Sequence, residues 1–441
     1  MEQINGADTA WVLVAAALVL LMTPGLALFY GGMVRAKNAL NMIMMSFSAM
    51  GVVTIVWILV GYSVAFGPDL GGGLLGGMRD IGLADTLNQT VGPEGHRIPM
   101  LAFVMFQLTF AIITTALLSG AIADRTKFSA WIVFAVAWSL LVYAPLAHWA
   151  FAFQGGDGGW LGDRLGVLDF AGGTAVEINS GASALALAIV VGRRVGFRRD
   201  AMRPHSLPLV LLGAGLLWFG WFGFNAGSAL AATGLAATAM INTQVATAAA
   251  AISWIVYEKV KDGKPTTLGI ASGAVAGAVA ITPACGFVTP LGALAIGLLA
   301  GVICAWAVGQ KFRLGYDDSL DVVGVHGVGG VVGMVAIGLV ATTLANGAGA
   351  DGLFYGGGVS LLGRQVVAVV ATAAFAFGMT WVIATVISRT MGFRASQEDE
   401  IAGLDTTLHA ESAYDLAGVS AGGPVAGSSA LHALRHLGSE E

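Results

Sequence analysis

Asp169 and Glu177 stand eight residues apart in DFAGGTAVE, and Asp318 and His326 stand eight apart in DSLDVVGVH, with Asp321 between them. Each set puts a carboxylate ahead of a second titratable side chain and runs into Gly/Ala/Val sequence long enough to cross a bilayer. An ionisable group at membrane depth costs roughly 2.5–3.5 kcal/mol or more, so such groups face a bundle interior or an aqueous path and mark functional candidates. Two in matched positions point to one site assembled by two halves of a chain.

Eight helical residues rise about 12 Å and rotate roughly 80°, so Asp169 and Glu177 do not touch along a regular helix. The expectation is Asp169 near the outer end of its helix and Glu177 near mid-membrane. On an oppositely running helix, Asp318 and Asp321 lie near the inner end and His326 deeper. Packed side by side, the two helices bring Glu177 and His326 together. A carboxylate beside an imidazole in a dry channel can hold, orient or relay one proton. Plainer readings stand beside this one: His326 as a helix–helix hydrogen-bonding group, Asp169 as an N-cap, Asp318 and Asp321 as caps or loop anchors. Glu177 is the hardest to read as structural, because an unpaired buried carboxylate is expensive.

Aromatic side chains cluster at outer helix ends: Phe106 and Phe110 in FQLTF, Phe151, and Trp221, Phe222 and Phe224 in WFGFNAGS, which ends at Ser228. They form either an interfacial aromatic belt or a vestibule whose ring faces attract a small cation at ~0.5–2 kcal/mol per good contact. In the second case Ser228 can accept a hydrogen bond. Spacing alone favours the belt.

The elements that hold these groups follow from composition. The 441 residues are 56% hydrophobic and 11% charged, with mean hydropathy +0.80, whereas a soluble domain carries about 25% charge. A spanning helix needs roughly 20 apolar residues, and such runs recur to give an all-α polytopic membrane protein. Eleven transmembrane helices are expected, at 9–34, 39–66, 98–122, 128–151, 168–192, 207–232, 236–258, 266–285, 289–310, 322–345 and 366–390. The connectors on one side hold most of the Lys and Arg, from Arg35 and Lys37 to Arg389 and Arg394. The other side holds only Arg79, Arg97, Arg164 and Arg364. The positive-inside rule then puts the N-terminus outside and the C-terminal tail in the cytoplasm.

Residues 1–393 read as the transmembrane domain and 394–441 as a polar cytoplasmic tail, acidic at its start and Gly/Ala/Ser-rich and mobile at its end. The first apolar run has no basic leader and reads as a retained span. An odd count of spans suits two inverted five-helix repeats plus one extra helix, a common transporter plan. The acid-first spacings fall in span five and at the start of span ten, which are equivalent under that plan.

Cys285 and Cys304 lie in apolar runs and read as buried thiols. The GGGLLGG run at 71–77 lacks the Lys-Ser/Thr of a phosphate loop. Nothing implies a cofactor, a metal, an enzyme's nucleophile–base set or nucleic-acid binding.

The stretches DFAGGTAVEINSGASAL, WFGFNAGSA, FQLTFAIIT and DDSLDVVGVHGVGGVVG, with GLDTTLHAESAY from Gly403 to Tyr414, closely resemble motifs of the ammonium transporter (Amt/Mep/Rh) family over residues 10 to 414. The resemblance implies a homotrimer in the cell (inner) membrane, each subunit with its own hydrophobic pore. It implies that Phe110 and Ser228 belong to an outer ammonium-recruitment site and that Phe106 and Phe224 are stacked rings closing its floor. Asp169 would shape that region and favour the cation without touching it, and His326 would be the second of two pore histidines. A PII-type regulatory protein is the implied cytoplasmic partner.

This sequence departs from the family pattern twice. Glu177 replaces the first pore histidine, as in a fungal subset, which leaves a Glu177–His326 proton relay in place of two imidazoles. Phe151 stands where Trp is usual, with Phe153 and Trp160 as the other rings near that place; Phe is the weaker cation–π partner and has no N–H. The implied mechanism is electrogenic: ammonium is caught outside by Phe110, Phe151 and Ser228, loses a proton, and crosses as ammonia. An ammonium sensor and an Rh-type neutral gas channel are the alternatives.

Overall fold

The computed structural model describes residues 4–414. Among the described residues, ten helices are long and apolar enough to cross a membrane. In chain order the bundle consists of α1 (Gly6–Met33), α2 (Ala36–Phe66), α3 (Met100–Ile122), α4 (Phe128–Phe151), α5 (Gly173–Val191), α6 (Leu207–Gly227), α7 (Gly234–Asp262), α8 (Thr267–Ile281), α9 (Pro290–Leu314), α10 (Val323–Val340) and α11 (Ser360–Thr390). Two short helices, α12 (Gln397–Ala402) and α13 (Leu404–His409), follow. The Gly/Ala/Ser-rich end that composition marks as mobile lies outside the described residues.

The expected eighth span differs from its neighbours. Helix α8 has 15 residues, about 22 Å of rise, short of the ≈ 30 Å hydrocarbon core. The Thr282 N–H is shared between the Ala278 and Val279 carbonyls, and Pro283 has no N–H to continue the ladder. The chain then turns, still buried, to Thr289, whose hydroxyl caps α9 at Gly292.

Helices α3 and α5 are the most enclosed of these spans and α2 and α11 among the least. Helix α1 packs along α6, and α7 lies against both α8 and α9. At the centre α5 crosses α10, and glycines set how close they come. A Cβ on Gly181 would lie 2.1 Å from the Gly327 Cα, and one on Gly330 would lie 3.0 Å from an Ile178 side-chain carbon. Glu177 and His326 are 149 residues apart, and the same shift carries Gly181 onto Gly330 and Ile178 onto Gly327. The two contacts are therefore reciprocal, as a two-fold relation between repeats requires.

Both helices open with a π-helical turn, at Gly173–Ile178 and Val323–Gly327. These turns carry Glu177 and His326, and such turns concentrate at functional sites. The same shift relates the capping aspartates. Asp169 accepts the Thr174 N–H at 2.8 Å, and Asp318 accepts the Val323 N–H at 2.8 Å.

Candidate functional site

A cavity of about 570 Å³ at the end of the bundle where α3 begins, called outer here after the end expected to face outside, is lined by Phe106, Gln107, Phe110, Phe151, Phe153 and Ser228, with Asp169 at its wall. Residues four apart on a helix share a face, so Phe106 sits one turn outward of Phe110 on α3, edge-on at 4.8 Å between ring centroids. Ser228 ends α6 and donates its hydroxyl proton to the Phe224 carbonyl at 2.8 Å, which leaves the oxygen lone pairs as acceptors. Of the three rings near the usual Trp position, Phe151 and Phe153 line the cavity. Trp160 does not; it packs on Trp149 at 5.4 Å.

Asp169 is tied to backbone. Its carboxylate accepts the N–H groups of Gly172, Gly173 and Thr174 at 2.7–2.8 Å and the Thr174 hydroxyl. Gln107 enters the sequence reading only as part of the FQLTF stretch, yet its polar side chain belongs to this cavity wall. A helical period alone could have flagged it, because it adjoins the face that Phe106 and Phe110 define.

Further in, a narrow apolar cavity with room for about one water-sized body (about 10 Å³) is lined by Trp221, Phe224, Val176, Ile113, Glu177 and His326. Phe110 lines the outer cavity and Phe224 the inner one, and their ring centroids are 4.4 Å apart at a 49° tilt. This pair divides the two spaces. The sequence reading paired Phe106 with Phe224; the ring contact found is between Phe110 and Phe224, while Phe106 sits one turn away and rests against Gly227, where an added Cβ would meet its ring at 2.9 Å.

Within the inner cavity the His326 Nδ1 and Glu177 Oε2 are 2.7 Å apart, both side chains buried. The other carboxylate oxygen, Oε1, is buried with no partner among the described residues. The site thus offers an acid and an imidazole sharing one hydrogen bond, with a spare acceptor, in an otherwise apolar space.

A family model described as Ammonium Transporter Family matches residues 10–414. The chain belongs to the ammonium transporter family. It is 55% identical over 435 residues to an ammonium transporter of Mycobacterium tuberculosis, covering 94% of this chain and 91% of that one. It is 50% identical to an ammonium transporter of Bacillus subtilis, over 92% of this chain and 98% of that one. Among solved structures, Candida albicans Mep2 superposes with a TM-score of 0.83 at 34% identity, over 90% of this chain and 88% of that one. A structure titled Sensor Amt Protein matches with a TM-score of 0.83 at 30% identity, over 92% and 98%.

The face of this ammonium transporter family member that lies opposite the outer cavity holds a buried ionic network. Arg194 clasps Asp317 at 2.8–3.0 Å and reaches Asp124 at 3.5 Å. Burial pushes the Asp317 carboxyl up, but hydrogen bonds and charge from Arg194, with Arg125, outweigh it and hold the group below its ordinary range. Arg125 is fully buried and donates to the Asp317 carbonyl and the Ser319 hydroxyl. The tail docks here. Asn38, which precedes the α-helical turns of α2 that begin at Ala39, turns its side chain to Asp124 and to the Leu404 N–H, and the Asp405 carboxylate accepts the Leu40 and Asn41 N–H groups in its place, at 2.8–3.0 Å.

Proposed function

We propose that this chain moves ammonium across the cell (inner) membrane by catching the cation in the outer cavity and passing it inward as ammonia. The observation that carries this reading is the Phe110–Phe224 contact between two cavities, with the Glu177–His326 pair beyond it. Ring faces of Phe110 and Phe151 hold the cation at ~0.5–2 kcal/mol each, and Ser228 accepts one of its N–H bonds. A bare cation cannot enter the apolar space without a large desolvation cost, so the proton leaves before the ring pair and neutral ammonia passes. Phe110 and Phe224 close the floor, and Phe106 stands edge-on beside Phe110 in the cavity wall. The proton, given up to water in the outer cavity, follows separately from ammonia to Glu177 and His326, which relay it inward, so net transport is electrogenic.

The same reading places the N-terminus outside and the tail in the cytoplasm, supported by the distribution of Lys and Arg, and counts α8 as an eleventh, short span. A homotrimer and a PII-type partner at the tail face follow from the family resemblance. Residues 394–414 of the tail are then the part docked on the membrane domain.

Solid-supported-membrane recording on purified protein tests it. Ammonium pulses are expected to give a current, and its absence in the wild type would sink the electrogenic mechanism. Growth rescue of cells lacking ammonium uptake separates a transporter from a protein that only senses ammonium.

A further inference from the structure

One wall of the outer cavity belongs to a loop folded around a single carboxylate. At the end of α4 the Phe153 N–H donates to the Phe151 carbonyl at 3.1 Å, with Ala152 between them at φ −80° and ψ 88°. This is close to an inverse γ-turn, and it brings two rings, Phe151 and Phe153, to the same cavity wall. The Gly159 N–H then returns to the Ala152 carbonyl at 2.8 Å and closes residues 152–159 into a small loop.

Asp163 gathers the backbone of that loop. One oxygen, Oδ2, accepts the N–H groups of Gln154, Gly156 and Gly158 at 2.8–2.9 Å. Gly155 and Gly156 take φ values of +70° and +99°, where glycine pays no Cβ penalty, and this lets the three N–H groups converge. Burial pushes the Asp163 carboxyl up, but these N–H groups and the Arg164 charge outweigh it and hold the group below its ordinary range. Two ties join the loop to the one that follows α2. Arg164 donates to the Gly158 and Asp157 carbonyls and to the Asp69 carboxylate at 2.8–2.9 Å. Gln154 donates to the Gly67 carbonyl at 2.9 Å and accepts the Asp69 N–H at 3.2 Å.

This bonding fixes a ring that does little for the core. Phe153 is 65% exposed, and its ring lies near Gly162, where an added Cβ would be 3.2 Å from Phe153 Cε1. A phenylalanine left largely in water stabilises the fold little by burial. At the mouth of a cavity that takes a small cation, it offers that cation a ring face.

We propose that Phe153 is the ring at the mouth of the cation site and that Asp163 is its positioning residue. The Gln154 N–H that Asp163 holds belongs to the peptide joined to Phe153, so the carboxylate acts on the ring through the backbone. The cation then meets a ring already in place, and binding is spared the cost of ordering the loop.

The inference rests on the outer cavity being the capture site, and the test separates the two. Ammonium concentration series are recorded from full-length protein in proteoliposomes, as current and as change of internal pH, which reads transport where no current flows. The set is wild type, S228A, F153A, F153L, D163A, D163N and the D163A/F153A double variant. F153A and F153L are expected to raise the half-saturating concentration about two- to fivefold and to keep the saturating rate. D163A is expected to raise it as much, and D163N less, because an amide oxygen still accepts the N–H groups. D163A/F153A is expected to match F153A alone, as two residues acting through one ring require. A carboxylate that only stabilised the fold would lower the melting profile and saturating rate, and its effect would persist without Phe153. Melting profiles check folding, and D163N with D163N/F153A makes the same comparison where D163A fails to fold. Wild-type half-saturation in F153A or F153L overturns the role of the ring. A D163A effect that adds to that of F153A overturns the positioning role. Unchanged half-saturation in S228A as well refutes the capture site, whereas a raised value there confines the failure to Phe153 and Asp163.

Discussion

Glu177 and His326 share a 2.7 Å hydrogen bond across the crossing of α5 and α10, leaving one carboxylate oxygen buried and unpartnered among the described residues. A pair that only joined two helices would hold with a neutral amide, because a glutamine at this position can still accept from or donate to the ring. Glu177→Gln is therefore expected to leave the melting profile close to wild type and to lower the ammonium-evoked current at least tenfold. An unchanged current would leave Glu177 a structural group.

The ring pair predicts selectivity. Phe110→Ala or Phe224→Ala joins the two cavities and removes the apolar barrier that a hydrated ion must cross. Potassium pulses, silent in the wild type, are expected to evoke current in either variant, and continued silence would refute the barrier role. Phe106→Ala is expected to leave potassium excluded, since its ring stands outside the dividing layer.

Affinity in the outer cavity is tuned by single groups. Ser228→Ala removes one acceptor, worth about 1 kcal/mol net, and should raise the half-saturating ammonium concentration about fivefold. Phe151→Trp adds a stronger cation–π face and is expected to lower it about two- to fivefold. Concentration series of the current measure both.

Gly181 has no room for a side chain: a Cβ would lie 2.1 Å from the Gly327 Cα. Gly181→Ala is expected to lower the melting temperature by roughly 1–4 °C, the scale of a clash costing about 1–3 kcal/mol in a chain of this length. Gly51→Ala, in α2 with nothing within 4 Å of the added carbon, serves as the control and should shift it little.

Asp318 links folding to pH. Its carboxyl rises from the ordinary 3.8 to about 6 in the folded chain, so between those values the folded state keeps a proton that the unfolded chain has released. Its contribution to stability is complete below about pH 4, declines as pH rises towards 6, and is flat above. Thermal melts across this range should show that downward slope in the wild type and lose it in Asp318→Asn.

Much of the bundle was legible in the sequence because apolar runs of spanning length and the bias of Lys and Arg leave strong marks. The opposed positions of Glu177 and His326 followed from helix rise and chain direction alone. What stayed hidden depends on tertiary register. The period of α3 stacks Phe106 above Phe110, but only the packing of α3 near α6 decides which ring meets Phe224. The shortness of α8 turns on Pro283, a single residue inside an apolar run, and hydropathy averages over it. The tail's hold on α2 is a side-chain choice that spacing does not record.

That hold bears on how the chain is made. The carboxylate that caps the first turn of α2 at Asn41 lies 364 residues further along the chain. At about 5–20 residues per second, a ribosome supplies it roughly 20–70 s after the turn itself has emerged. Through that interval the start of α2 waits without its final partner, so a segment close to the end of the described residues completes one of the first helices to enter the membrane.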